Sequence, residues 1–301
     1  MFHHITAICS DSNKNIEFYS DILGMHMVKV TVNFDDPQSY HLYYGDKKGS
    51  PGSLLTFFEW KHLDEGRRGH GLWGRLTFSV PPNSLDFWKK RLEEKKVDYE
   101  EQYIEEKNAI FFEDYNGMTL GLLEEDKLPD YFIDEIGKEN SIIRMIGMEM
   151  ILRGNGDDII LLNHLGYEID EELFKEMKIG DSVFVYSKDN SFIEIKLSEE
   201  RGTMGKGSIH HVAFRAKDEA EELDMRAKLI KYNPTEVVER IYFRSVYFRS
   251  PQGLICEIAT DEPGMHIDEE VLGSSLKLPP WYEEYREQIT KGLTPVRYNS
   301  S

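Results

Sequence analysis

Cysteine is nearly absent: Cys9 and Cys256 are the only two in 301 residues. That excludes a disulfide framework and a cysteine-based zinc site. Long apolar runs are missing too, and nothing approaches the length of a membrane span. The opening Met1-Phe2-His3-His4 has neither the basic start nor the apolar stretch of a signal peptide, so a cytoplasmic protein is expected. Basic charge is scarce, with 36 lysines and arginines against 55 acidic residues and a net charge of −19. That balance argues against nucleic acid and anionic membranes as partners. The acidic stretch 168–176 reads as a solvated helix face. With 40% hydrophobic and 30% charged residues, the chain is globular and long enough for two domains with proper cores.

What is present is a repeat. Phe2-His3-His4-Ile5-Thr6-Ala7-Ile8 opens the chain, and Ile209-His210-His211-Val212-Ala213-Phe214 follows roughly two hundred residues later. Each is a histidine pair at the head of an apolar strand. Such histidines are costly to bury unless their ring nitrogens have partners, and a metal is a common strong one. Downstream, Pro251-Gln252-Gly253-Leu254-Ile255-Cys256-Glu257-Ile258-Ala259 sets one carboxylate inside an apolar run.

Four segments share one plan of strand, helix and further strands, which makes the fold class α+β with four βαβββ modules. The first module ends near Trp60 and has a helix stop at Leu23-Gly24. The second runs from about Gly71 to Glu125 and turns at Asn116-Gly117. The third spans 142–197 and the fourth 208–260. Modules are expected to pair, two per domain, because one alone cannot bury a core. The expected division is 1–126, a linker over 127–141, 142–262, and a tail over 263–301 that packs Trp281 and Tyr285 onto the body. Paired modules curving into a half-barrel give a natural concave ligand site.

Aligning the modules puts His4, Arg75, Met148 and His211 at one first-strand position. Thr56, Gly121, Glu194 and Glu257 fall at one last-strand position. Only the outer modules keep the histidine, and only the fourth pairs it with a carboxylate. His4, His211 and Glu257 are therefore the predicted metal ligands. Two neutral imidazoles and one carboxylate leave part of the coordination sphere open for reactants. Thr6, two residues from His4, shares its strand face. Cys256 points the other way, into the core.

The modules, the His-His strands and the Pro-Gln-Gly-Leu-Ile-Cys-Glu-Ile-Ala-Thr ending resemble the vicinal oxygen chelate superfamily. That superfamily takes in glyoxalases, bleomycin resistance proteins and extradiol dioxygenases. Within it the chain most resembles the hydroquinone-type ring-cleaving dioxygenases. The segments Tyr40-His41-Leu42-Tyr43-Tyr44 and Tyr242-Phe243-Arg244-Ser245-Val246-Tyr247-Phe248-Arg249-Ser250-Pro251 share in the resemblance. It implies Fe(II) on His4, His211 and Glu257, with Mn(II) also accommodated by such a triad. It further implies working side chains at His3, Thr6, His210, Arg240 and Tyr247. The expected substrates are a small aromatic compound and O₂.

Roles follow from the chemistry. A phenol with a pKa of about 10 needs help to ionise at neutral pH. His210, Tyr247 and then His3 are the candidates to accept its proton, and Arg240 the fixed cation for developing negative charge. Bland readings stand beside these: a strand-end hydrogen bond for His3 and His210, packing for Tyr247, and an ion pair with Glu239 or Glu236 for Arg240. Two other functions compete. A glyoxalase-type isomerase or lyase on Zn or Ni favours a second carboxylate, which Thr56 and Gly121 do not supply. A metal-free binding protein needs no triad. A homodimer is the default assembly.

Overall fold

The computed structural model describes residues 1–299 except 155, 171–173 and 175–176. Most of the acidic stretch 168–176 therefore lies outside the described residues. No described helix is long and apolar enough to cross a membrane.

The first module comprises β1 (Phe2–Cys9), a helix over Ser12–Ile16 continuing as a π-helical turn over Glu17–Ile22, β2 (His26–Asn33), β3 (Asp36–Gly45) and β4 (Leu54–Glu59). Asp11 caps the helix by accepting from the backbone N–H groups of Asn13 and Lys14. The second comprises β5 (Leu72–Val80), a helix over Leu85–Glu94, β6 (Tyr99–Ile104), β7 (Lys107–Glu113) and β8 (Thr119–Glu124). The third has β9 (Arg144–Leu152), a helix over Asp158–His164, β10 (Tyr167–Glu168), β11 (Ser182–Ser187) and β12 (Phe192–Leu197). The fourth has β13 (Ile209–Ala216), a helix over Glu219–Lys228, β14 (Val238–Glu239), β15 (Phe243–Arg249) and β16 (Ile255–Pro263).

The strands form two eight-stranded sheets, ordered β14-β15-β16-β13-β1-β4-β3-β2 and β10-β11-β12-β9-β5-β8-β7-β6. Module one therefore shares its sheet with module four, and module two with module three. The expectation that consecutive modules pair is corrected by this order. The joins are antiparallel, β1 on β13 and β5 on β9.

Register gives a second correction. Thr6 lies opposite Thr56, Thr77 opposite Gly121, Glu149 opposite Glu194 and Ala213 opposite Glu257. Counting back two residues gives His4, Arg75, Gly147 and His211 as the equivalent positions. The third module's member is Gly147, not Met148. Met148 is fully buried in the main core, and a slip of one residue moves a side chain to the opposite face. A Cβ on Gly147 would sit 2.1 Å from the Phe192 ring, so only glycine fits beneath that ring.

The main core draws on both sheets and includes Ile5, Leu55, Val212 and Cys256 from one, and Leu76, Phe78, Met150 and Ile193 from the other. Strand alternation sends their neighbours, His4, Thr6, Thr56, His211 and Glu257, to the other face of the first sheet.

The tail packs differently from expectation. Met265, Leu272, Leu276, Leu278, Ile289 and Leu293 are its buried hydrophobic residues, whereas Trp281 and Tyr285 remain 51% and 49% exposed. Trp281 meets the Phe34 ring edge-on, with centroids 5.6 Å apart. Its helix lies at Arg286–Gly292 behind a 3₁₀ segment over Pro280–Tyr285, because Pro279 and Pro280 restrict the entry. The buried Lys29 ammonium anchors the tail's start, with Asp268 at 2.7 Å, the Met265 carbonyl at 2.9 Å and Glu269 at 3.6 Å.

Candidate metal centre

His4, His211 and Glu257 meet at the centre of the first sheet. His4 Nε2 lies 3.3 Å from His211 Nε2, and Glu257 Oε2 lies 3.3 Å and 3.0 Å from the two. All three residues are buried, and among the described residues they form the one cluster of three or more potential metal-ligand side chains. The triad fits a metal ion. Glu257 Oε2 is a buried oxygen that makes no hydrogen bond of good geometry. Ligand atoms at right angles around a small divalent ion sit about 3 Å apart, which is the spacing found here.

Hydrogen bonds outside the triad fix which nitrogens face inward. His4 Nδ1 is 2.9 Å from His3 Nδ1, and His211 Nδ1 is 2.8 Å from His210 Nδ1. Coordination through Nε2 would put the proton on Nδ1 of His4 and His211, with His3 and His210 then accepting at Nδ1. His3 then donates from its other nitrogen to the Thr260 backbone. Burial, followed by the adjacent histidine, pushes both His3 and His210 down to about 3, which keeps them neutral acceptors. Glu257 Oε1 accepts from Ser245 Oγ at 2.5 Å. Burial alone would raise the Glu257 carboxyl, but His4 and His211 outweigh it and hold it well below the usual range.

A cavity of about 740 Å³ opens over the triad. Phe58 and Trp60, stacked at 5.0 Å, line it and meet the His210 ring edge-on. Phe243 packs against both His3 and His4. Arg240 donates from Nε to the Tyr247 hydroxyl at 3.1 Å, with Asp35 at 3.9 Å from Nη1. The ion-pair partners suggested for Arg240 are taken elsewhere: Glu236 pairs with Arg226, and Glu239 lies 3.6 Å from Arg244. Burial, then nearby Glu257, raises the Tyr247 hydroxyl above its ordinary value despite Arg240, so it stays protonated.

Thr6, His210, Arg240 and Tyr247 all line the cavity with the two histidine ligands. His3 does not; both its ring nitrogens are engaged, which leaves it no lone pair for a substrate proton. Several residues escaped the sequence reading. Thr56, noted only for lacking a carboxylate, bonds Thr6 at 2.8 Å and His41 Nε2 at 2.9 Å, and His41 Nδ1 meets the Tyr43 hydroxyl at 3.1 Å. Tyr43 lies opposite Thr56 as Tyr247 lies opposite Glu257, so the repeat itself carried a signal for Tyr43. Glu194 serves no metal: Arg75, Lys196 and Ser182 surround it.

Paired βαβββ modules around a two-histidine, one-carboxylate floor define the class. The chain belongs to the Glyoxalase/Bleomycin resistance protein/Dioxygenase superfamily, whose model matches residues 1–122. It is 39% identical over 297 residues to the "Putative ring-cleaving dioxygenase MhqE" of Bacillus subtilis (strain 168), covering 96% of each chain. It is 25% identical to the chlorohydroquinone/hydroquinone 1,2-dioxygenase of Sphingobium indicum, over 97% of this chain and 95% of that one. The crystal structure of a "putative dioxygenase" from Bacillus subtilis strain 168 superposes with a TM-score of 0.88 at 35% identity, covering 100% of this chain and 98% of that one.

Proposed function

We propose that this protein is an Fe(II)-dependent dioxygenase that opens the ring of a hydroquinone or a related catechol-like phenol. The observation that carries the reading is the mutual 3.0–3.3 Å spacing of His4 Nε2, His211 Nε2 and Glu257 Oε2 beneath an aromatic-walled cavity. The relatives named as ring-cleaving dioxygenases, one of them for hydroquinones, support the substrate class.

His4, His211 and Glu257 would hold the ion, which when bound supplies adjacent open positions for a phenolic oxygen and O₂. Mn(II) would fit the same donors. The aromatic rings of Phe58, Trp60 and Phe243 along the cavity suit a flat ring and would exclude water from it. The Tyr247 hydroxyl, its oxygen already accepting from Arg240, directs its own proton outward as a donor rather than acting as a base. Arg240 brings a fixed positive charge to the same wall, where negative charge on oxygen is stabilised. His210 also lines the cavity, but with Nδ1 accepting from His211 its Nε2 carries the proton, so it offers a phenolic oxygen a donor rather than a base.

A zinc or nickel isomerase of the glyoxalase type lacks its second carboxylate here, since the matching position is Thr56. Oxygen uptake by Fe(II)-reconstituted protein tests the proposal, with hydroquinone, methylhydroquinone, catechol and the methylglyoxal–glutathione adduct in parallel. Equimolar O₂ consumption with hydroquinones and a new near-ultraviolet absorbance is the expected result. Bound metal with no O₂ uptake on any phenol would overturn it.

A further inference from the structure

A cleft of about 950 Å³ lies against the second sheet, lined also by Lys14, Glu17, Phe18 and Ile22 of the first module, and two of the three register equivalents of the metal triad are charged here. Arg75 occupies the place of His4, and Glu194 the place of Glu257. The carboxylates of Glu149 and Glu194 are buried and well supplied with donors. Glu149 accepts from Arg68 and from the Arg75 backbone N–H, and has Lys196 at 3.3 Å. Glu194 accepts from Arg75 and Ser182, and has Lys196 at 3.2 Å. Arg68, Arg75 and Lys196 line the cleft, whereas the two carboxylates sit behind them.

At the cleft floor the three cations Arg68, Arg75 and Lys196 face the two carboxylates Glu149 and Glu194, a local excess of one positive charge, while the outer lining is acidic, with Glu17, Asp98, Glu100, Glu113 and Asp114 against Lys14 and Lys96. Arg75 is only 8% exposed and uses Nη2 alone for its side-chain hydrogen bond among the described residues. Its other nitrogens are free to donate, and its plane is held by Phe111, whose ring centroid is 3.9 Å from Cζ. Exposed Glu100 and Glu113 on the cleft wall disfavour a polyanion. The combination of one spare charge, planar donors and aromatic surface matches a small carboxylate with an apolar body.

We propose that the second sheet binds a small organic monocarboxylate, its acid group on Arg68, Arg75 and Lys196 and its apolar part along Phe111. This site is separate from the metal centre and does not depend on the reaction assigned there.

Isothermal titration calorimetry of the metal-loaded protein with benzoate, hexanoate and inorganic phosphate tests it. Saturable binding of benzoate or hexanoate at one site per chain is expected, with R68Q weakening it by about tenfold or more. Arg68 is half exposed, and Glu149 keeps Lys196 and the Arg75 N–H in that variant, so the fold is retained. R75K, which keeps the charge but loses the planar fork, should also weaken binding. E257Q should leave it intact. Binding lost in E257Q yet unchanged in R68Q would place the carboxylate at the metal centre and overturn the proposal. So would the absence of saturation, or phosphate binding as tightly as the organic acids, which would mark an adventitious anion only.

Discussion

His4 and His211, separated by 207 positions, meet Nε2 to Nε2 at 3.3 Å because β1 and β13 pair antiparallel with Thr6 opposite His211. Nothing local brings them together. The two strands are joined edge to edge at the middle of one sheet, and each ligand histidine has its own neighbouring histidine behind it. The remaining ligand comes from β16, parallel to β13, so the site draws on both modules and exists only when they share a sheet.

Glu257→Gln tests the anionic ligand. The change is nearly isosteric, so the far-ultraviolet circular dichroism should match the parent. Metal content after dialysis and O₂ uptake should both fall by more than about 100-fold. Ser245→Ala removes the hydroxyl that orients Glu257 and should cost about 10–100-fold in metal affinity. Full metal retention in Glu257→Gln would sink the ligand assignment.

Tyr247→Phe separates chemistry from metal holding. The hydroxyl is a donor steadied by Arg240, so its loss should lower kcat by on the order of 100-fold. Metal content should be unchanged, as Tyr247 touches His211 only through its ring at 6.1 Å. A variant that releases its metal would show that Tyr247 supports the ligands instead.

Lys29→Met tests the clasp between β2 and the tail. The buried ammonium neutralises Glu269, also buried, and lies 4.9 Å over the Tyr242 ring. Removing one partner leaves a buried charge uncompensated and should destabilise the protein by about 3–5 kcal/mol. Adding Glu269→Gln should recover part of that loss in denaturant melts. Equal stabilities of the single and double variants would show that the pair is not coupled.

Asp114 makes stability depend on pH. It is buried, accepts from the backbone N–H groups of Asn116 and Met118 and from Tyr19, and desolvation raises it from 3.8 to about 6. Because the folded state binds this proton more tightly than the unfolded chain, the contribution is full below about pH 4. It is lost as pH rises through about 6. Asp114→Asn keeps an acceptor for the turn and removes the titration. Melting temperature between pH 4 and 7 should therefore fall less in the variant than in the parent. A parallel decline in both proteins would assign the pH dependence to other groups.

Much of this protein was legible in its sequence. The repeated His-His strands, the carboxylate after the Pro-Gln-Gly turn and the glycine-marked helix ends marked the modules and the three candidate ligands that the fold brings together, because those signals rest on local spacing. The pairing of modules was not legible, although choosing ligands from the first and the fourth already required those two to meet. Which strand edges join depends on burial summed over a whole sheet. The Met148 equivalence failed for a related reason: without a histidine to mark it, the position depends on register, and only the β9–β12 ladder points to Gly147. Trp281 and Tyr285 were expected to pack onto the body, yet both stay about half exposed while Leu272, Leu276, Leu278, Ile289 and Leu293 are the tail residues buried there. Chemistry confined to neighbouring residues was thus set by the sequence. The meeting of His4 with His211, and of Arg75 with Glu194, was decided by tertiary structure, since both are contacts between strands far apart in the chain.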